Sequence, residues 1–183
     1  MKGSTYLMYY WSQCSGTSVY LENKKIGHIE NMMINKADKT VIAFVLERKS
    51  TDIKYRYFPL TKATEIQRDS ITIESEEDIK VLSNEIRQEH IFVEDILNKS
   101  IVDDDGKWVG KVVDFAFDKT NGNIQEVIMS DSIMLDLWLG RRKMPVYSTV
   151  EFSEELIRID KNAKKDIKKL QKGLKDWINA DFM

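Results

Sequence analysis

From Val113 to Asp118 apolar and polar side chains alternate, with Val113, Phe115 and Phe117 set against Asp114, Ala116 and Asp118. That is the period of a β-strand with one buried face. Met32 and Ile34 set the same face earlier in the chain. The runs that follow, Phe44-Val45-Leu46 and Val127-Ile128-Met129, are apolar throughout and predict strands covered on both sides. Between strand and run lie Asn35 to Lys39 and Asp118 to Gly122; Asn121-Gly122 is a hairpin signal, since both residues tolerate the positive φ of tight β-turns. Asp105-Gly106 marks another turn. Further strands, Tyr55 to Pro59 and Arg141 to Pro145, each reach a proline, which lacks the N–H a ladder needs and so belongs at an edge or a strand start. Short β-branched segments follow at Ser70 to Glu74 and Leu156 to Asp160. Four or five short strands per segment, separated by turns, predict a small barrel or sandwich.

Two stretches have helical spacing instead. Ser75 followed by Glu76, Glu77 and Asp78 predicts a capped helix start, with Ile79, Leu82 and Ile86 along one face. Near the end of the sequence Ala163, Ile167, Leu170, Leu174 and Trp177 recur at intervals of 4, 3, 4 and 3. They predict an amphipathic helix whose other faces carry Lys161, Lys164, Lys165, Lys168, Lys169, Lys172 and Lys175.

The pattern occurs twice. Val19–Leu46 and Val102–Met129 align without a gap at an offset of 83, pairing Gly27 with Gly110 and Lys36 with Lys119. After a three-residue insertion the offset becomes 86, which brings the only two prolines, Pro59 and Pro145, into register with Ile71–Ile157 and Ile73–Ile159. Self-similarity at this period means two copies of one structural unit. The predicted organisation is mainly β: a first repeat over 1–75, a helical connector over 76–96, a second repeat over 97–160 and a basic helix over 161–183. Units this small have thin cores, so mutual support between them is the expectation.

The second copy reads Ile101-Val102-Asp103-Asp104-Asp105-Gly106-Lys107-Trp108-Val109-Gly110-Lys111-Val112-Val113-Asp114-Phe115, then Asp118 with Asn121-Gly122, and later Met144-Pro145-Val146. This resembles the PRC-barrel family: an apolar pair, a turn ending in glycine, a G-K-V-x-D strand, a D-x-x-x-G turn, an apolar strand and a late proline. The first copy departs from that pattern at Asn23, His28, Asn31 and Lys39 and keeps Gly27 and Pro59. The resemblance implies two small β-barrels in tandem. It also implies macromolecular binding in place of catalysis, since members occur in a photosynthetic reaction-centre subunit and in a ribosome-maturation factor. It carries no ligand residues, because the shared positions are glycines, turn residues and core apolars.

Composition narrows the function. With 42% hydrophobic and 32% charged residues and a net charge of -2, the chain reads as globular and not as a whole-surface polyanion binder. Cys14 is the only cysteine, which rules out an internal disulfide and suits a reducing compartment. Met1 to Trp11 lacks a signal-peptide pattern and no stretch approaches ~18 apolar residues, so the expected location is the cytoplasm, with the membrane periphery as the alternative. His28, His90 and Cys14 do not form a zinc spacing, and Asp103-Asp104-Asp105 does not fit a calcium loop and reads as a solvated turn. No phosphate-cradling loop or nucleophile motif is present, so no enzyme activity, cofactor, metal or small-molecule substrate is expected.

Two segments offer binding chemistry. The insertion Ile133 to Lys143 sets large aliphatics and Trp138 beside three cations, making Trp138, Leu139, Arg141, Arg142 and Lys143 candidate partner-binding residues. The competing expectation, and the default, is that they cover the barrel end or the sister repeat, since monomers seldom expose large apolar patches. Lys164, Lys165, Lys168, Lys172 and Lys175 are candidates for an anionic surface, either membrane or RNA. The function expected is that of a binding or assembly protein with a protein partner, self-association included; the alternatives are an RNA- or ribosome-associated factor and a peripheral membrane protein.

Overall fold

A computed structural model describes residues 8–48, 54–67, 69–153 and 155–170, excepting the side chains of Ile133, Trp138 and Leu139. The chain divides into two compact units, Met1–Asp95 with Phe117–Ile124, and Ile96–Ala116 with Gln125–Met183.

Unit 1 opens with β1 (Met8–Tyr10) and the one-turn helix α1 (Trp11–Cys14). Strands β2 (Ser18–Leu21), β3 (Lys24–Asn35), β4 (Thr40–Leu46), β5 (Arg56–Pro59), β6 (Ala63–Ile66), β7 (Ser70–Ile73) and β8 (Lys80–Val81) follow. Then come α2 (Asn84–Glu89), β9 (Ile91–Phe92) and α3 (Val93–Ile96). The strand order is β6-β7-β2-β3-β4-β5-β8, with β9 added to β3. Only β2 and β7 run parallel, Ser18 lying opposite Ser70. As the apolar run predicts, β4 is covered on both faces: Phe44, Val45 and Leu46 are all buried. Met33, Ala43 and Val45 share one cluster with Leu82 and Phe92.

Unit 2 repeats this plan with β10 (Ser100–Asp103), β11 (Trp108–Asp118), β12 (Ile124–Ser130), β13 (Arg142–Pro145), β14 (Glu151–Phe152), β15 (Leu156–Ile159) and β16 (Lys168–Lys169). Helix α4 (Ile133–Leu139) joins β12 to β13, and α5 (Lys161–Lys165) follows β15. The order β14-β15-β10-β11-β12-β13-β16 matches that of unit 1 position by position, with β10 and β15 as the parallel pair. Each proline ends its strand, beyond the two residues that pair with the outermost strand, so its missing N–H costs no ladder bond there.

Three expectations are corrected. The polar side of β11 is not solvated: Asp114 and Asp118 are buried, and their carboxylates accept the Phe115 and Thr120 N–H groups at 2.9 and 2.7 Å. A buried acceptor that meets a backbone donor avoids the desolvation penalty, so the alternation of polarity does not become an alternation of burial. The continuous connector helix is replaced by a 3-10 turn at Glu76–Asp78, the strand β8 and a fresh helix capped by Ser83. The long basic helix stops at Lys165, and Lys168–Lys169 pair with β13 instead. In both cases an open sheet edge supplies backbone partners that outweigh local helical spacing. Residues 171–183, including Lys172 and Lys175, lie outside the described residues.

The tip of the β11–β12 hairpin belongs to unit 1. There the Val41 N–H donates to the Gly122 carbonyl at 2.8 Å and the Ile124 N–H to the Lys39 carbonyl at 3.0 Å, around the bridge between Thr40 and Asn123. Since 39, 40 and 41 correspond to 122, 123 and 124 in the repeat, the two turns meet as a local two-fold pair.

Candidate functional site

The second repeat is three residues longer than the first between its second and third long strands, and α4 fills that space. Its boundaries follow from its sequence. Ser132 caps the start, its hydroxyl oxygen accepting the Leu135 N–H at 3.2 Å. Gly140, at φ +83° and ψ 155°, ends it in a conformation that needs glycine, while its N–H still donates to the Asp136 carbonyl at 2.9 Å.

Among its described side chains, the apolar ones face out and the acid faces in. Met134, Leu135 and Leu137 are 83, 44 and 66% exposed, whereas the side chain of Asp136 is 16% exposed and faces the Arg141 guanidinium at 3.5 Å. A surface helix normally turns its apolar stripe inward. Among the described residues six large hydrophobics are exposed, and α4 holds three of them, which makes it the concentrated apolar feature of the surface. Trp138 and Leu139 fall in its last turn.

The cations after α4 are structural supports. Arg142 donates to the Val109 carbonyl at 2.6 Å and pairs with the Asp131 carboxylate. Gly110 lies beside it, where an added Cβ would be tight only against the Ser130 carbonyl oxygen, at 3.2 Å. Lys143 reaches the Glu126 carboxylate at 2.7 Å. Arg141, Arg142 and Lys143 thus each have an acid partner and anchor the root of the helix. The signal for these pairs was present in the hairpin register: with Met129 opposite Arg142, Asp131 lies just beyond the end of β12.

The lysine candidates separate. Lys164 donates to Asp103 at 2.6 Å. That contact, followed by the Lys107 N–H on the other carboxylate oxygen at 2.8 Å, holds the Asp103 carboxyl below its ordinary value. Asp103 is therefore a buried turn-former and not part of a solvated acidic run. Lys165 is exposed on α5, and Lys168 and Lys169 are exposed on β16. The Leu170 N–H donates to the Arg141 carbonyl at 2.8 Å, which brings β16 to the foot of α4. Nearby, a polar cleft of about 230 Å³ is lined by Glu126, Lys143, Tyr147, Asp166 and Lys168. Tyr147 donates to Asp166 across it at 2.7 Å, and that carboxylate pushes the phenol above its usual range.

A family model for the PRC-barrel domain matches residues 7–80 and again residues 88–162, together most of the chain. The chain belongs to the PRC-barrel family. No curated protein matches it. Two tandem PRC-barrel domains account for the duplicated strand order, and the shared positions prove to be scaffold. Gly110 packs close against the Ser130 carbonyl, Asp114 caps a strand amide and Gly122 forms the turn at φ +76°. Where the first PRC barrel departs from the pattern, Asn31 does the work of Asp114, its Oδ1 accepting the Met32 and Val93 N–H groups at 2.9 and 3.0 Å. Helix α4 lies inside the second match and the β16 lysines lie beyond it. Among the described residues no three His, Cys, Asp or Glu side chains are grouped to hold a metal ion, and no helix is long and apolar enough to cross a membrane.

Proposed function

We propose that this PRC-barrel protein is a non-catalytic docking module of the cytoplasm that engages a macromolecular partner or a membrane surface through α4. The observation that carries the reading is the inverted helix: an acid turned in toward Arg141 and three large apolar side chains turned out. Exposed apolar surface of this kind marks interaction sites on soluble domains. The non-catalytic part is supported by the cleft beside β13, where Lys143 and Glu126, and Tyr147 and Asp166, are partners of one another and not a set converging on a substrate. Cys14, buried and the only cysteine of the chain, suits a reducing compartment.

The test is a photo-crosslinking amino acid placed in the full chain at Leu137, with a second at exposed Lys24 in β3 as control, irradiated in cells. Adducts to a macromolecule or to lipid from position 137 and none from position 24 are expected. No adduct from Leu137, nor from the same probe moved to Met134, overturns the docking assignment.

A further inference from the structure

We infer that the occupant of α4 is the surface of an anionic lipid membrane, an inference that rests on α4 being the docking face proposed above. Size is the first argument. Seven helical residues rise only about 10 Å. A stable protein interface needs roughly 800 Å² and 20–30 residues from each partner. A lipid interface asks for no complementary surface: a few apolar side chains enter it singly, and nearby cations hold the anionic headgroups.

Charge is the second argument. Asp136, the only acid in α4, is turned away from solvent and neutralised by Arg141, so no carboxylate accompanies Met134 and Leu137 outward. Lys168 and Lys169 are exposed on β16, which pairs with β13, and the Leu170 to Arg141 hydrogen bond sets this strand at the C-terminal foot of the helix, with Lys168 on the side of the cleft that also holds Glu126 and Asp166. Lys165 is exposed on α5, three residues before Lys168. An outward apolar helix with a cationic foot is the composition of an interfacial anchor. The lysines act here from a strand edge and not from the long amphipathic helix that their spacing suggests.

The experiment is co-sedimentation of the full chain with large unilamellar vesicles of phosphatidylcholine, either alone or with about one-third phosphatidylglycerol, at about 50 mM and about 500 mM salt. Binding is expected with the anionic vesicles at low salt, and its loss with neutral lipid or high salt. Met134→Ser with Leu137→Ser lowers the partition coefficient on the order of a hundred-fold. Lys168→Gln lowers it about five-fold. Both leave the thermal unfolding temperature in place. No pelleting at low salt, equal pelleting with neutral lipid, or pelleting that the double serine variant leaves unchanged overturns the lipid assignment. Crosslinks from Leu137 to a protein without vesicle binding overturn the lipid occupant while the docking reading stands; absence of both overturns both.

Discussion

Gly122 sits at φ +76°, and a Cβ added there would lie 2.2 Å from the Val41 carbonyl oxygen, the neighbour of the Thr40–Asn123 bridge. Gly122→Ala therefore incurs left-handed strain and displaces the hydrogen-bonded turn, a cost of at least about 2 kcal/mol in denaturant titration. The equivalent Lys39 holds φ +54° without glycine's freedom. Lys39→Gly relieves that strain, offset in part by glycine's entropy, and stabilises the protein by about 0.5 kcal/mol. Equal effects of the two changes would show that the paired turns do not share one geometry. At this scale the sequence is legible where a residue type has a single use, as at Gly122. It misleads where a type has two: Asp114 reads as a solvent-facing letter in a strand and is a buried acceptor for the Phe115 N–H. Nothing local announces that Lys39 adopts the glycine conformation; only alignment with the second copy does.

At the level of elements, the β10–β11 turn is tied to α5 by Asp103 and Lys164. Because the folded-state pKa of Asp103 lies below its unfolded value, the stabilisation is present above the unfolded value of about 3.9 and is lost as pH falls through the lower, folded one. The stability gap between wild type and Lys164→Met is thus full at neutral pH and closes in acid below that range. Denaturant midpoints at pH 7 and pH 3 read it, and a gap of constant size across both would remove this pair from the pH dependence. Neither partner of this link was recognisable from spacing, since they are 61 residues apart and Lys164 looked like one of seven similar lysines. The helices at 76–96 and 161–183 show the same limit from the other side. Ile79, Leu82 and Ile86 have helical spacing, but the open edge of β5 captures Lys80–Val81, as the edge of β13 captures Lys168–Lys169. Helical periodicity is local information, whereas an unfilled sheet edge appears only when the strand order is known.

For the whole molecule, the duplication separates what folds from what binds. Strand order, the parallel closing pair and the terminal edge strands occur in both units, so they answer to the hydrophobic pattern that both copies share. Helix α4 answers to none of it. The insertion was legible in the sequence, but its helical form and its orientation were not, because the same residues serve equally well for covering a barrel end. In the structure Asp136 faces Arg141, five residues further on, while Met134 and Leu137 lie outside. If α4 is an appendage to a complete fold, replacing Ser132–Gly140 with a short Gly-Ser turn leaves the β12–β13 register intact, since Asp131 and Arg142 remain to pair across it. The expected thermal unfolding temperature stays within about 3 °C of wild type, since the Asp136–Arg141 pair is long and its arginine half-exposed, so its loss contributes little. A fall of more than about 8 °C would mean that the apolar helix is part of the core, and the docking face would lose its physical basis. Retained stability together with lost vesicle binding would instead locate binding in α4, on a scaffold that folds without it.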